Sequence, residues 1–303
     1  MKKITFIFAA LVLAAGIAVI SCTKESSPTS QANLITATTD AIQLDNSATE
    51  ITGIIDDYQT FNSTNFTDPT LKAGVADSPM SIKGMAMDNC AVVTMTKTPV
   101  VVGGVVTSFT IKLTIDFGTV VCTNKDGKLR KGTITSTYTW IKLGGWSRES
   151  IIDLYVNDVH HVGTETSTFG VIGPNHHAYF TENTTLTVTA KDGTSKIWNS
   201  ERQRELIEGN GGGTTVKIYK ITGKSTFTNA KGDNSTYTIT VPLIKPANCK
   251  SFTEGTIVSV STAGVNTTID YGTGTTCKDG YTVKAPGDKD GKGIVNTVIK
   301  WAK

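Results

Sequence analysis

Threonine alternates with apolar residues along much of this chain, and that period of two constrains the fold more than any other feature. Ile111, Leu113, Ile115 and Phe117 alternate with Thr110, Lys112, Thr114 and Asp116. Ile134, Tyr138 and Trp140 alternate with Thr133, Thr135, Thr137 and Thr139, and Leu186 and Val188 with Thr185, Thr187 and Thr189. Tyr237, Ile239 and Val241 repeat the pattern against Thr236, Thr238 and Thr240. Successive strand residues point to opposite faces, so each run carries one apolar face and one threonine face. Turn signals separate the runs: Gly103-Gly104, Asp126-Gly127, Asn157-Asp158, Asp192-Gly193 and Lys231-Gly232-Asp233-Asn234. Short turns between alternating runs pair neighbours as hairpins. The expected fold is mainly β, an antiparallel meander forming a sandwich or an open curved sheet.

The N-terminus reads differently. Lys2 and Lys3 precede an apolar run from Ile4 to Ile20, and Val19-Ile20-Ser21-Cys22 closes it. A basic start, a short apolar middle and a small residue before cysteine have the layout of a bacterial lipoprotein signal, too short to read as a spanning helix. On this reading residues 1–21 are removed and lipid on Cys22 anchors the rest. That leaves 282 residues (303 − 21) and removes two lysines, so the net charge falls from +3 to about +1. A near-neutral chain has no electrostatic footprint for nucleic acid.

Residues 22–45, rich in Ser, Thr, Pro and Gln at their start, read as a flexible tether. Residues 46–80 read as a helical or irregular lead-in. Ser47-Ala48-Thr49-Glu50 fits a capping box, after which Ile51, Ile54, Ile55 and Tyr58 fall on one helical face. Residues 81–303 form the β domain.

Within it two stretches resemble each other, near 90–132 and 249–280. Each has a cysteine (Cys90; Cys249), a strand ending in Ile-Asp-aromatic-Gly (Ile115 to Gly118; Ile269 to Gly272), a second cysteine (Cys122; Cys277) and an Asp-Gly turn. They read as duplicated units framing a central meander. Four cysteines in an oxidising compartment form two disulfides, and the simplest pairing is within units, Cys90 with Cys122 and Cys249 with Cys277. Asp116 and Asp270 stand at equivalent places. Their expected role is to cap the turn before the glycine, against a catalytic pair across a pseudo-symmetric site.

No catalytic, cofactor-binding or metal-ligating set emerges. His160-His161 and His176-His177 sit in strands, where neighbours face opposite ways, and no further ligand stands at metal spacing; they read as solvent-facing. Gly209 to Gly213 lacks the lysine and strand–helix context of a phosphate loop, and Asp288-Lys289-Asp290-Gly291 lacks the closing glutamate of a calcium loop. Between Trp198 and Ile207 the face carrying Glu201 and Glu205 opposes the face carrying Arg202 and Arg204, which reads as charge pairing on wet surfaces. Tyr138, Trp140, Trp146, Tyr155 and Trp198 could stack on sugar rings, and the alternation places them in the core.

Thr23-Lys24-Glu25 after the lipidated cysteine resembles the charged export tag of surface-displayed Bacteroidetes lipoproteins. The chain as a whole resembles a Bacteroidetes outer-membrane lipoprotein family. The likeness rests on Ile-Asp-Phe-Gly through Cys122 and Lys131-Gly132, on Tyr155-Val156-Asn157, on Asp192-Gly193-Thr194 through Trp198, on Glu208-Gly209, on Ile221-Thr222-Gly223, and on Asp270-Tyr271-Gly272 through Cys277. The resemblance implies lipoprotein status, an outer-membrane and cell-surface location and β architecture; it implies no activity, ligand or catalytic residue. The expected function is therefore a non-catalytic binding or accessory role, with a glycan or an envelope protein as partner. The alternative is a surface hydrolase of polysaccharide.

Overall fold

The computed structural model describes residues 28–61, 80–82, 90–124, 126–141, 145–172, 177–209, 216–249, 251–286 and 294–300. One helix, α1 (Pro28–Phe61), precedes fifteen strands. These are β1 (Met80–Ile82), β2 (Val92–Val102), β3 (Val105–Asp116), β4 (Cys122–Thr123), β5 (Leu129–Ile141), β6 (Gly145–Val156), β7 (Val159–Ile172) and β8 (His177–Thr189). The rest are β9 (Ser195–Glu208), β10 (Ile218–Thr228), β11 (Asn234–Pro246), β12 (Glu254–Ser261), β13 (Asn266–Asp270), β14 (Gly280–Pro286) and β15 (Ile294–Lys300). All join one open antiparallel sheet in chain order, except that short β4 pairs beside β5 off the main path. Of the two expected architectures, the sandwich gives way to the open curved sheet.

The alternation does what period two requires. Along β6, Arg148, Ser150, Ile152 and Leu154 are buried while Ser147, Glu149, Ile151 and Asp153 are exposed. The buried face of every long strand turns towards α1. Ala41, Ile42, Leu44, Ala48, Ile51, Ile55 and Tyr58 share one core with residues from β2 through β14. Ten strands from β5 to β14, at ~4.8 Å spacing, would be about 43 Å wide if flat, and a helix with side chains is only ~10–12 Å across. Glu50 on α1 touches Arg130 of β5, while Thr39 bonds Tyr281 of β14. The sheet must therefore curl around the helix.

The helix corrects the expected tether. It starts at Pro28, within residues 22–45, and Ser47 to Glu50 lie in its middle instead of capping its start. Pro28 suits a first helical position, where its missing N–H loses no bond. The buried stripe of α1 includes Thr38, Asp45 and Thr52 beside the apolar residues, so its apolar periodicity is weak. Ile51, Ile55 and Tyr58 are buried and Ile54 packs against the core, as expected. Residues 1–27, with Cys22, and residues 62–79 lie outside the described residues.

The two similar stretches are related differently from a tandem repeat. The main path has fourteen strands, with its midpoint between β8 and β9. Half a turn about an axis through that midpoint, normal to the sheet, exchanges β3 with β13, β5 with β12 and β2 with β14. The Asp-aromatic-Gly turn after β3 bonds Gly132 of β5, Phe117 N–H to Gly132 O at 2.8 Å and Gly132 N–H to Gly118 O at 2.8 Å. The turn after β13 bonds Gly255 of β12 in the same way, at 3.0 and 3.3 Å. Both partner glycines have positive φ, 102° and 109°. A Cβ on them would stand 2.3 Å from Asp153 O and 2.4 Å from Pro242 O, on the exchanged strands β6 and β11. No other residue fits either place.

The disulfides follow the same rotation. Cys90 precedes β2 and Cys122 stands ahead of β5; Cys277 precedes β14 and Cys249 stands ahead of β12. Each bridge thus ties the two strands flanking the motif strand, and the pairing is the within-unit one. In the first stretch, however, the glycine strand follows the motif strand, and in the second it precedes it. A tandem duplication would repeat the order, so the likeness is a local clasp used twice, at opposite ends of the sheet. Turns 157–158, 190–194, 229–233 and 262–265 mark one end, called lower here; Gly103-Gly104 and the 247–253 connection mark the upper end.

Candidate functional site: a charge network beneath the helix

The inner face of the sheet gathers cations, and α1 brings acids to meet them. Asp40 pairs with Lys196 at 2.7 Å, Asp45 with Arg202 at 2.6 Å, and Glu50 with Arg130 at 2.8 Å and with Lys128. Asp56 bridges two arginines, Oδ1 to Arg148 at 2.7 Å and Oδ2 to Arg204 at 2.6 Å. The acids recur five or six residues apart along α1, and three of them, Asp40, Asp45 and Asp56, meet cations of a single strand, β9. The wet-surface reading of Arg202 and Arg204 is therefore wrong for that face: both point into the core. Glu201 and Glu205 do lie outside, on Lys224 at 3.1 Å and Lys220 at 3.2 Å.

The network is densest around Asp56. The Arg148 side chain is fully buried, and its second guanidinium nitrogen meets Glu165, itself buried, whose other oxygen accepts from Thr52 at 3.0 Å. Arg204 also donates to Glu182 at 2.7 Å and lies between two rings, 4.6 Å from the Phe180 centroid and 4.7 Å from that of Tyr219. Burial works to raise the Asp56 carboxyl, but Arg204 and Arg148 outweigh it and hold it below the ordinary carboxylate range. For Glu182 burial prevails: against the pull of Arg204, and helped by the Glu165 and Asp56 charges, it raises the group above its usual value. Burial also pushes Tyr138 beside Arg148 up to about 12.

These opposite shifts have opposite consequences. Asp56 contributes stability that is present above its unfolded pKa and lost as pH falls through the lower folded one. Glu182 contributes stability that is full below its unfolded value and lost as pH rises through the raised folded one. Glu182→Gln is therefore expected to leave the protein at least as stable at pH 7. It should also remove the part of the pH dependence that comes from ionising Glu182 in the core as pH rises above about 4.5. Urea midpoints of both forms between pH 4 and 7 check this, and a large loss at pH 7 would contradict it.

Beside the network a recess of about 200 Å³ is lined by Ser47, Glu50, Lys128, Asn157, Val159 and His161. His161 is buried, not solvent-facing as expected; its Nδ1 lies 3.1 Å from Val159 O, and burial holds it below the usual histidine range. His160 faces outward, with Nε2 2.7 Å from Asp153. His176 and the His177 side chain lie outside the described residues, as do Asn210 to Gly213 of the glycine-rich run and Asp288 to Gly291. Among the described residues no three His, Cys, Asp or Glu gather as a metal site.

Asp116 and Asp270 are not brought together. Each accepts the N–H of the glycine two residues on, Gly118 at 2.7 Å and Gly272 at 2.8 Å, and Asp270 also meets Lys284 at 2.8 Å. They cap turns at opposite ends of the sheet. The rings proposed for sugar stacking are engaged as well. Tyr138 and Trp198 are buried, and Trp146 stacks on Phe169 at 5.8 Å. Tyr155 is sandwiched across strands between the Lys131 ammonium at 4.4 Å and the His160 ring at 3.9 Å. The side chain of Trp140 lies outside the described residues.

Sequence reasoning missed this network. The available signal was the inward register of Lys196, Trp198, Arg202 and Arg204 on β9, together with acids recurring at 40, 45, 50 and 56. Chemically, the arrangement clamps a helix into a curved sheet and leaves its carboxylates bound by cations. Comparison with protein-family models, with curated proteins and with solved structures finds no match. The class defined is structural: an open antiparallel meander curled on a single acidic helix.

Proposed function

We propose that this chain is a lipid-anchored envelope protein displayed on the outer membrane, with a non-catalytic binding or accessory role. Its membrane attachment is the lipid on Cys22, and no described helix is long and apolar enough to cross a bilayer. The observation that supports the non-catalytic reading is the state of the carboxylates. A hydrolase of polysaccharide needs two of them open to the sugar, about 5–10 Å apart. Asp56 on the sheet-facing side of α1, and Glu165 and Glu182 beneath the helix, instead have guanidinium groups on them. The surfaces left for a partner are the threonine-rich outer face and the two ends of the sheet. The sandwiched Tyr155 and buried Trp198 favour an envelope protein over a glycan as that partner.

Cys22→Ser is expected to abolish incorporation of radioactive fatty acid and to move the protein out of the membrane fraction. Undiminished labelling of the variant would remove the lipoprotein reading. Alanine at Lys24 and Glu25 is expected to reduce digestion by protease added to intact cells.

A further inference from the structure

A buried histidine stands where the middle of α1 meets the lower end of the sheet, and the charge network does not use it. His161 on β7 is 2% exposed. Its cross-strand neighbours, Leu154 on β6 and Val188 on β8, are buried and apolar. A carbonyl oxygen only accepts, so the Nδ1 contact with Val159 O puts the proton of the neutral ring on Nδ1. That leaves Nε2 as a bare acceptor, buried and with no hydrogen-bond partner.

Protonation would turn Nε2 into a buried cationic donor, which needs a partner far more than a buried lone pair does. Among the described residues, the charged groups around the ring are Glu50 of α1 and Lys128, which line the recess with it, and Arg130 of β5, which Glu50 also holds. His160, next along β7, faces outward on Asp153. Glu50 is therefore the carboxylate open to a charged ring. Of its two partners, Arg130 is 4% exposed and keeps Asp126 as well, whereas Lys128 is 39% exposed. Water can solvate the Lys128 ammonium, so Lys128 is the partner that yields. Burial meanwhile opposes charging and, against the pull of Glu50, holds the ring below the usual histidine range. Such a group contributes stability that is present above its unfolded value, about 6.5, and lost as pH falls through the lower folded one.

We propose that His161 is an acid-sensitive latch: neutral, it lets α1 close against the lower end of β5 and β7; protonated, it draws Glu50 from Lys128 and loosens α1 there. The test uses the full-length chain with nitroxides attached, without reductant, at Gln43→Cys on α1 and Val162→Cys on β7, both exposed positions. The distance between them by pulsed electron paramagnetic resonance is expected to be sharply defined at pH 7.5 and to spread at pH 5. With His161→Gln added it should stay sharp at both. Without labels, the wild type is expected to lose stability relative to His161→Gln as pH falls from 7 to 5, by up to about tenfold in the unfolding equilibrium per pH unit. Nitrogen-15 shifts of the unsubstituted His161 ring should show the Nδ1–H form and a titration below the unfolded value. A distance that stays sharp at pH 5, a constant gap in stability between wild type and variant, or an unshifted titration of the ring overturns the proposal.

Discussion

Arg148→Ala is expected to lower stability by about 3–5 kcal/mol, the cost of leaving buried charge without its partner. The side chain is fully buried, and it holds Glu165 from β7 and Asp56 from α1 at once. Asp56 keeps Arg204 in the variant, whereas Glu165 keeps only the Thr52 hydroxyl. The loss therefore falls mainly on Glu165. Pairing Arg148→Met with Glu165→Met is expected to recover much of it, because two apolar groups need no charge partner. Urea titrations of the single and double variants check this. A single-variant loss below about 1 kcal/mol would show that water reaches the network, as it does for exposed pairs, and its burial beneath α1 would have to be abandoned.

Removing either disulfide is expected to cost about 3–4 kcal/mol in the loop-entropy model. The loops closed are of similar length, with sequence separations of 32 and 28. Cys90→Ser with Cys122→Ser, and Cys249→Ser with Cys277→Ser, should therefore destabilise alike. Because the bridges stand at opposite ends of the sheet, the two losses should add. Non-reducing peptide mapping tests the pairing first, and a link from Cys90 to Cys249 would refute the clasp arrangement. Strongly unequal losses would mean that one clasp is held mainly by its turn and partner glycine.

The network and the core together make α1 the organising element. A sheet this wide needs something to curl on, and the helix supplies apolar surface at Ile42, Ile51 and Ile55 and four carboxylates that meet six cations of the sheet.

The features legible in the sequence were the ones written in neighbouring residues. Alternation of threonine with Ile, Leu and Val sets strand faces one residue at a time, so the antiparallel sheet could be read from β3, β5, β8 and β11 directly. Asp116 and Asp270 cap their turns through bonds only two residues long. The cysteine pairing followed from two local likenesses. The extent of α1, the inward course of Arg202 and Arg204, and the rotation relating the two clasps were decided by tertiary structure. Thr38 and Asp45 look like tether residues until Tyr237 and Arg202, far along the chain, give them partners that make burial favourable. A charged alternation on β9 reads the same whether its arginine face meets water or a helix. Only the curling of the sheet, which brings β5 and β14 to one helix, makes that face the inside.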